Sequence, residues 1–140
     1  MSIKETIFKE ARFVRDWALS KGAPKDLFCW CAICSYEIFK RLERFNPVFY
    51  LISISKPFLP REGHCYIRCA GYLIDVTARQ FNKRNEPIVV SRKPPSNAWY
   101  WSEKNCSAID REYLSIKRAY SVEEIQDLLR TWPSDQRPDW

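Results

Sequence analysis

Apolar residues recur at steps of three and four through the first twenty positions: Ile3, Ile7, Ala11, Val14 and Ala18, with Phe8 and Trp17 beside the same stripe. That spacing predicts an amphipathic helix over 3–20, ended by Gly22. "GAPKD" then reads as a short connection, because Pro24 disfavours helix at Ala23. A second stripe through Cys34, Ile38, Phe39 and Leu42 predicts a helix from Trp30 to Phe45, closed by Asn46-Pro47. From Val48 the texture changes to "VFYLISIS", β-branched and aromatic, which predicts a buried strand. After the loop "KPFLPREG", two strands over 64–69 and 72–77 are joined at Ala70-Gly71, and "PIVVS" predicts a fourth. The stretch "RKPPSNAWYWSEKNCSAIDREY" has no regular period. Ser121 and Glu124 spell a capping box at the head of "SVEEIQDLLRTW", a last short helix before a polar tail. The order helix, helix, strands, helix predicts an α+β fold, an antiparallel β-sheet packed against N-terminal helices.

Length and composition narrow the class. At 140 residues the chain is expected to form a single domain, residues 1–140, with one core. An apolar fraction of 46% rules against disorder, yet charged residues interrupt every apolar run before it could cross a membrane. The start, "MSIKETIFKEARF", lacks the continuous apolar segment of a secretory signal, so a cytoplasmic location is expected. Without an export signal, the six cysteines read as reduced thiols rather than a disulfide framework. The net charge of +6 is spread among acids, as in "KRLERF", which fits a solvated surface better than a nucleic-acid stripe.

The chain holds one histidine, His64, and Asp75 follows it by eleven residues. If Ala70-Gly71 is a two-residue turn, Cys69 faces Tyr72, Tyr66 faces Asp75 and His64 faces Thr77. Alternation then puts His64, Tyr66, Leu73, Asp75 and Thr77 on one side of the ribbon. Asp75 becomes a diagonal neighbour of His64, with Cβ atoms about 7 Å apart, which a hydrogen bond can bridge. Such a pair is equally an edge-strand polar contact. The surrounding "YLIDVT" tips the balance, because an aspartate among apolar residues is buried and needs a partner.

An oriented imidazole becomes catalytic beside a nucleophile. A thiol is activated at a helix N-terminus next to imidazolium, and "DLFCWCAICSYEIFKRL" carries three cysteines near such a start. Cys34 lies on the packing stripe. Cys29 and Cys31 bracket Trp30 at the first turn, where unpaired backbone N–H groups could also hold an oxyanion, and spacing leaves both open.

The pattern Cys31-Ala32-Ile33-Cys34-Ser35, then His64, Tyr66, Gly71, Ile74-Asp75 and Thr77, resembles the transglutaminase-like branch of the papain-like cysteine superfamily. The likeness covers roughly residues 26 to 81 and selects Cys31 over Cys29. It implies a papain-like core and a Cys-His-Asp triad that acts without metal or cofactor: Cys31 as nucleophile, His64 as base and then acid, Asp75 as the group orienting the imidazole. The implied activity is acyl transfer through a thioester, as in a cysteine protease, an amidohydrolase or deamidase, or a transglutaminase, on a peptide, protein or small amide. Trp30, Tyr66 and Gln80 are the candidates for contacting substrate, Gln80 also as a second oxyanion donor beside the Cys31 N–H.

Two rivals stand beside this reading. Cys29, Cys31, Cys34, His64, Cys65 and Cys69 could hold zinc, with Cys31-x2-Cys34 at the usual spacing, but Cys65 and Cys69 fall on the hairpin face opposite His64. The other is a catalytically inactive fold that binds protein or nucleic acid through the aromatic "NAWYW".

Overall fold

A computed structural model of the chain describes residues 1–25, 27, 30–54, 62–80, 84–92 and 114–131. Helix α1 runs Ile3–Ser20 and α2 runs Cys31–Arg41. Strands β1 (Val48–Ile54), β2 (Glu62–Cys69), β3 (Tyr72–Asp75), β4 (Val89–Ser91) and β5 (Leu114–Tyr120) follow, and α3 (Val122–Thr131) ends the described chain. The five strands form one antiparallel sheet in the order β4-β3-β2-β1-β5. The expected α+β class with N-terminal helices is what folds.

Local chemistry sets the helix ends. Ser2 Oγ accepts the Glu5 N–H at 3.1 Å and opens α1. At the other end Gly22, at φ 89°, completes a Schellman motif: its N–H reaches Leu19 O, and Ala23 N–H reaches Ala18 O, each at 3.1 Å. The second helix is shorter than its apolar stripe predicted. It stops at Arg41, and a 3-10 turn over Glu43–Phe45 carries the stripe on to Asn46, whose φ of 53° reverses the chain. Apolar spacing of three suits either helix type, so the pattern could not separate them.

Residues of both N-terminal helices and one sheet face form the core. Ile7, Ala11, Val14 and Ala18 of α1 and Ile33, Cys34 and Ile38 of α2 are buried against Phe49, Leu51, Cys65, Ile67 and Ile74. The registers Phe49↔Ile67, Leu51↔Cys65 and Ile67↔Ile74 put those strand residues in line on one side. α2 lies on β2 and β1, while α1 covers α2 and reaches β3 and β4. Burying each large aliphatic side chain here contributes about 1.5–3 kcal/mol, which fixes α2, and so its first residue, over β2.

Strand β5 was not predicted. "LSIKRAY" carries Lys117 and Arg118 side by side, which breaks alternation, and edge strands are where sheets tolerate such charges. Most of the aromatic segment before it, 93–113, lies outside the described residues. The last helix appears where its capping box put it: Ser121 Oγ accepts the Glu124 N–H at 3.2 Å, and Glu124 Oε1 accepts the Ser121 N–H at 3.3 Å. Among the described residues no helix is long and apolar enough to cross a membrane.

Candidate active site

The β2–β3 turn decides the site's geometry. Ala70 and Gly71 sit at φ 52° and 82°, the two positive values of a type I′ turn, and the ladder pairs Cys69↔Tyr72, Arg68↔Leu73 and Ile67↔Ile74 as a two-residue turn requires. Pairing ends there. Beyond it His64 and Asp75 still meet: Nε2 lies 2.6 Å from Asp75 Oδ2, with both side chains buried.

Asp75 is itself held. Its Oδ1 accepts the Thr77 N–H at 2.7 Å and the Thr77 hydroxyl at 3.0 Å, an Asx-type turn that leaves Oδ2 aimed at the imidazole. Thr77 was predicted to share the face, but its bonds to the carboxylate were not foreseen. The signal was in "DVT", an aspartate two residues before a threonine. The turn that follows is tied down as well: Asn85 Nδ2 donates to the Ala78 carbonyl at 3.0 Å, and Arg79 Nε donates to the Asn85 carbonyl at 2.8 Å.

Cys31 is the first residue of α2 and is buried beside both His64 and Cys65. Its sulfur reaches two residues whose side chains leave β2 on opposite sides. The register explains how. Since β3 pairs with β2 only through Ile67–Cys69, the side of β2 away from β1 is open at Cys65, and the Cys31 sulfur takes that place, accepting the Cys65 backbone N–H.

Charge follows from these contacts. Hydrogen bonding from the Cys65 thiol acts most strongly on Cys31. Burial opposes it, but the hydrogen bond and positive charge of His64 add to it, so the Cys31 thiol falls well below the ordinary range. For His64, burial alone would disfavour the imidazolium. The Asp75 charge and hydrogen bond, with Cys31 behind them, override it and carry His64 up to about 9. Both shifts favour the thiolate–imidazolium form of the pair. Burial pushes Cys34 and Cys65 up, and the neighbouring Cys31 charge adds to both, so they stay protonated. Among the described residues, one activated sulfur stands beside protonated thiols.

With Nε2 given to Asp75, Nδ1 is the ring nitrogen available to the thiol. The first turn of α2 supplies backbone N–H groups without intrahelical partners, and Cys31 contributes one of them. Trp30, the residue before the helix, is buried and packs edge-on against Trp17 at 6.4 Å. Tyr66 is fully buried, stacked on Tyr50 at 5.4 Å and next to the His64 ring at 6.4 Å. Burial pushes its phenol up to about 12, which keeps it a neutral hydroxyl. Gln80 ends the 3-10 turn Ala78–Gln80, but its side chain lies outside the described residues, as does Cys29. Among the described residues no three of His, Cys, Asp and Glu are placed to hold a metal ion.

The fold thus brings together Cys31, His64 and Asp75, predicted from three separate segments, and adds Cys65 and Thr77. The chain matches no protein-family model, no curated protein and no solved structure.

Proposed function

We propose that the chain is a thiol-dependent acyl-transfer enzyme with a transglutaminase-like, papain-like core, acting on a peptide, protein or small amide through Cys31, His64 and Asp75. The observation that carries this reading is the 2.6 Å contact between His64 Nε2 and Asp75 Oδ2 beside a Cys31 sulfur at a helix N-terminus. Structural ion pairs also perturb charges, but they seldom combine a lowered thiol, a raised imidazole and unpaired helix N–H groups.

In the first half-reaction the Cys31 thiolate attacks the amide carbonyl carbon, forming a C–S bond. The oxygen takes the charge and is met by the Cys31 N–H. His64 then delivers its proton to the leaving nitrogen, the C–N bond breaks, and a thioester remains. In the second half-reaction His64 takes a proton from water or an amine, which attacks the thioester and returns the Cys31 sulfur. Asp75 keeps the ring oriented throughout and stabilises its charged form whenever His64 holds the proton.

Iodoacetamide alkylation tests the reading. Cys31 is expected to react at neutral pH faster than a free thiol, and His64→Ala to abolish that advantage. Cys31 labelling no faster than Cys69 would refute an activated nucleophile. Mass spectrometry of amide-bearing candidates then separates cleavage, deamidation and crosslinking by their mass changes.

One observation favours a second reading, an inactive fold that serves as a binding module. Cys31, His64 and Asp75 are 3%, 2% and 2% exposed, so a substrate reaches the sulfur only if neighbouring segments part. Fast alkylation of Cys31 argues against that reading, and slow alkylation supports it.

A further inference from the structure

Cys65 makes and breaks no bond in acyl transfer, yet its thiol and backbone N–H both address the Cys31 sulfur. Its position is set by the fold. Cys65 pairs with Leu51 in the β1–β2 ladder, and its side chain turns to the helix side of the sheet, under the start of α2. Serine or alanine would fill that buried position with less bulk, whereas a second sulfur brings redox chemistry to the nucleophile. Cys34, one turn along α2, is also a thiol, but the hydrogen bond to Cys31 is made by Cys65.

We propose that Cys31 and Cys65 form an oxidisable dithiol, in which a hydroperoxide oxidises the Cys31 sulfur and Cys65 closes a reversible disulfide that silences the nucleophile. The inference rests on the nucleophilic Cys31 of the reading above, though not on which acyl group it transfers. The Cys31 thiolate attacks one oxygen of the hydroperoxide and the O–O bond breaks. The departing oxygen takes a proton to leave as an alcohol, or as water from hydrogen peroxide. Cys31 is then a sulfenic acid, oxidised by two electrons that the peroxide has accepted. The Cys65 sulfur attacks the sulfenic sulfur, the S–S bond forms, the S–O bond breaks, and hydroxide leaves with the Cys65 proton as water. A small dithiol reverses the closure by exchange. Without a resolving thiol the sulfenic acid is open to further, irreversible oxidation.

Hydrogen peroxide is small enough to test this on the full reduced chain. Equimolar peroxide, followed by blocking of free thiols and non-reducing peptide mapping, is expected to yield one crosslink, between the Cys31 and Cys65 peptides. Dithiothreitol should remove it and restore fast alkylation of Cys31. In Cys65→Ser, a conservative change, Cys31 is expected to accumulate a dimedone adduct in place of the crosslink. A crosslink from Cys31 to any other cysteine, or a dimedone adduct on Cys31 in the unaltered chain with no crosslink, would overturn the dithiol while fast alkylation left the nucleophile standing. Slow alkylation of Cys31 with no oxidation would overturn both.

Discussion

Asp75 reaches His64, Oδ2 to Nε2 at 2.6 Å, across a gap that the β-ladder does not close, since β2–β3 pairing stops at Ile67↔Ile74. A carboxylate at such a place needs its own anchor, and Thr77 supplies it through two bonds to Oδ1. The two oxygens therefore have separate tasks, one fixing the carboxylate and the other fixing the ring.

Substitution separates those tasks. Asp75→Asn keeps the shape but loses the charge that holds the imidazolium, so the rate of acyl transfer is expected to fall by about two to four orders of magnitude. Thr77→Val removes one of the two anchors and leaves the charge, so the activity loss should be much smaller. It is expected to cost about 1–2 kcal/mol of stability, read by urea unfolding. Equal activity losses in the two variants would mean that orientation, rather than charge, is what Asp75 supplies.

The thiolate–imidazolium pair gives a pH window with a defined upper edge. His64 loses its proton near 9, so activity is expected to hold across neutral pH and decline above about 9, as the leaving nitrogen loses its acid. Stability carries the same sign. A folded value raised above the ordinary imidazole value contributes fully below about 6.5 and is lost as pH rises through about 9. Cys31 runs the other way: its lowered value contributes above the ordinary thiol range and is lost as pH falls through the lowered one. Thus the stability deficit of His64→Ala against the unaltered chain should be larger at pH of about 7 than at about 10, measured by chemical denaturation. In Asp75→Asn the alkaline decline in activity should move below 9.

The His64–Asp75 contact was legible because a two-residue turn fixes parity, and parity fixes which side chains share a face. Cys31 was legible only in part. A helix start could be placed near Trp30, but the choice between Cys29 and Cys31 needed the family likeness, since the first turn can begin at either. The role of Cys65 was hidden for a physical reason: alternation puts it opposite His64, and only the early end of β3 lets one sulfur touch both. Strand β5 escaped for a similar one, because Lys117 and Arg118 erase the alternation that marks a half-buried strand.

The capping box at α3 is testable apart from the site. Ser121 and Glu124 exchange two bonds at the helix start, and Ile125 and Leu129 of that helix are buried in the core. Ser121→Ala is expected to destabilise the chain by about 1 kcal/mol, seen as a lower urea midpoint with an unchanged slope. A changed slope would indicate that α3 unfolds apart from the rest.

The turn at Ala70 offers a gain rather than a loss. Alanine at φ 52° pays for a left-handed backbone that its Cβ disfavours, whereas asparagine tolerates it and Asn-Gly is the favoured type I′ pair. Ala70 is exposed, so a larger side chain meets no core atom. Ala70→Asn is expected to raise stability by about 0.5–1 kcal/mol while leaving the alkylation rate of Cys31 unchanged. Inserting a glycine between Ala70 and Gly71 is the opposite manipulation. It lengthens the loop by one residue, and a register shift of that size would turn Asp75 away from His64. That variant should lose fast alkylation of Cys31 even where circular dichroism shows the sheet retained. Retained fast alkylation would show that the tight turn does not position the triad.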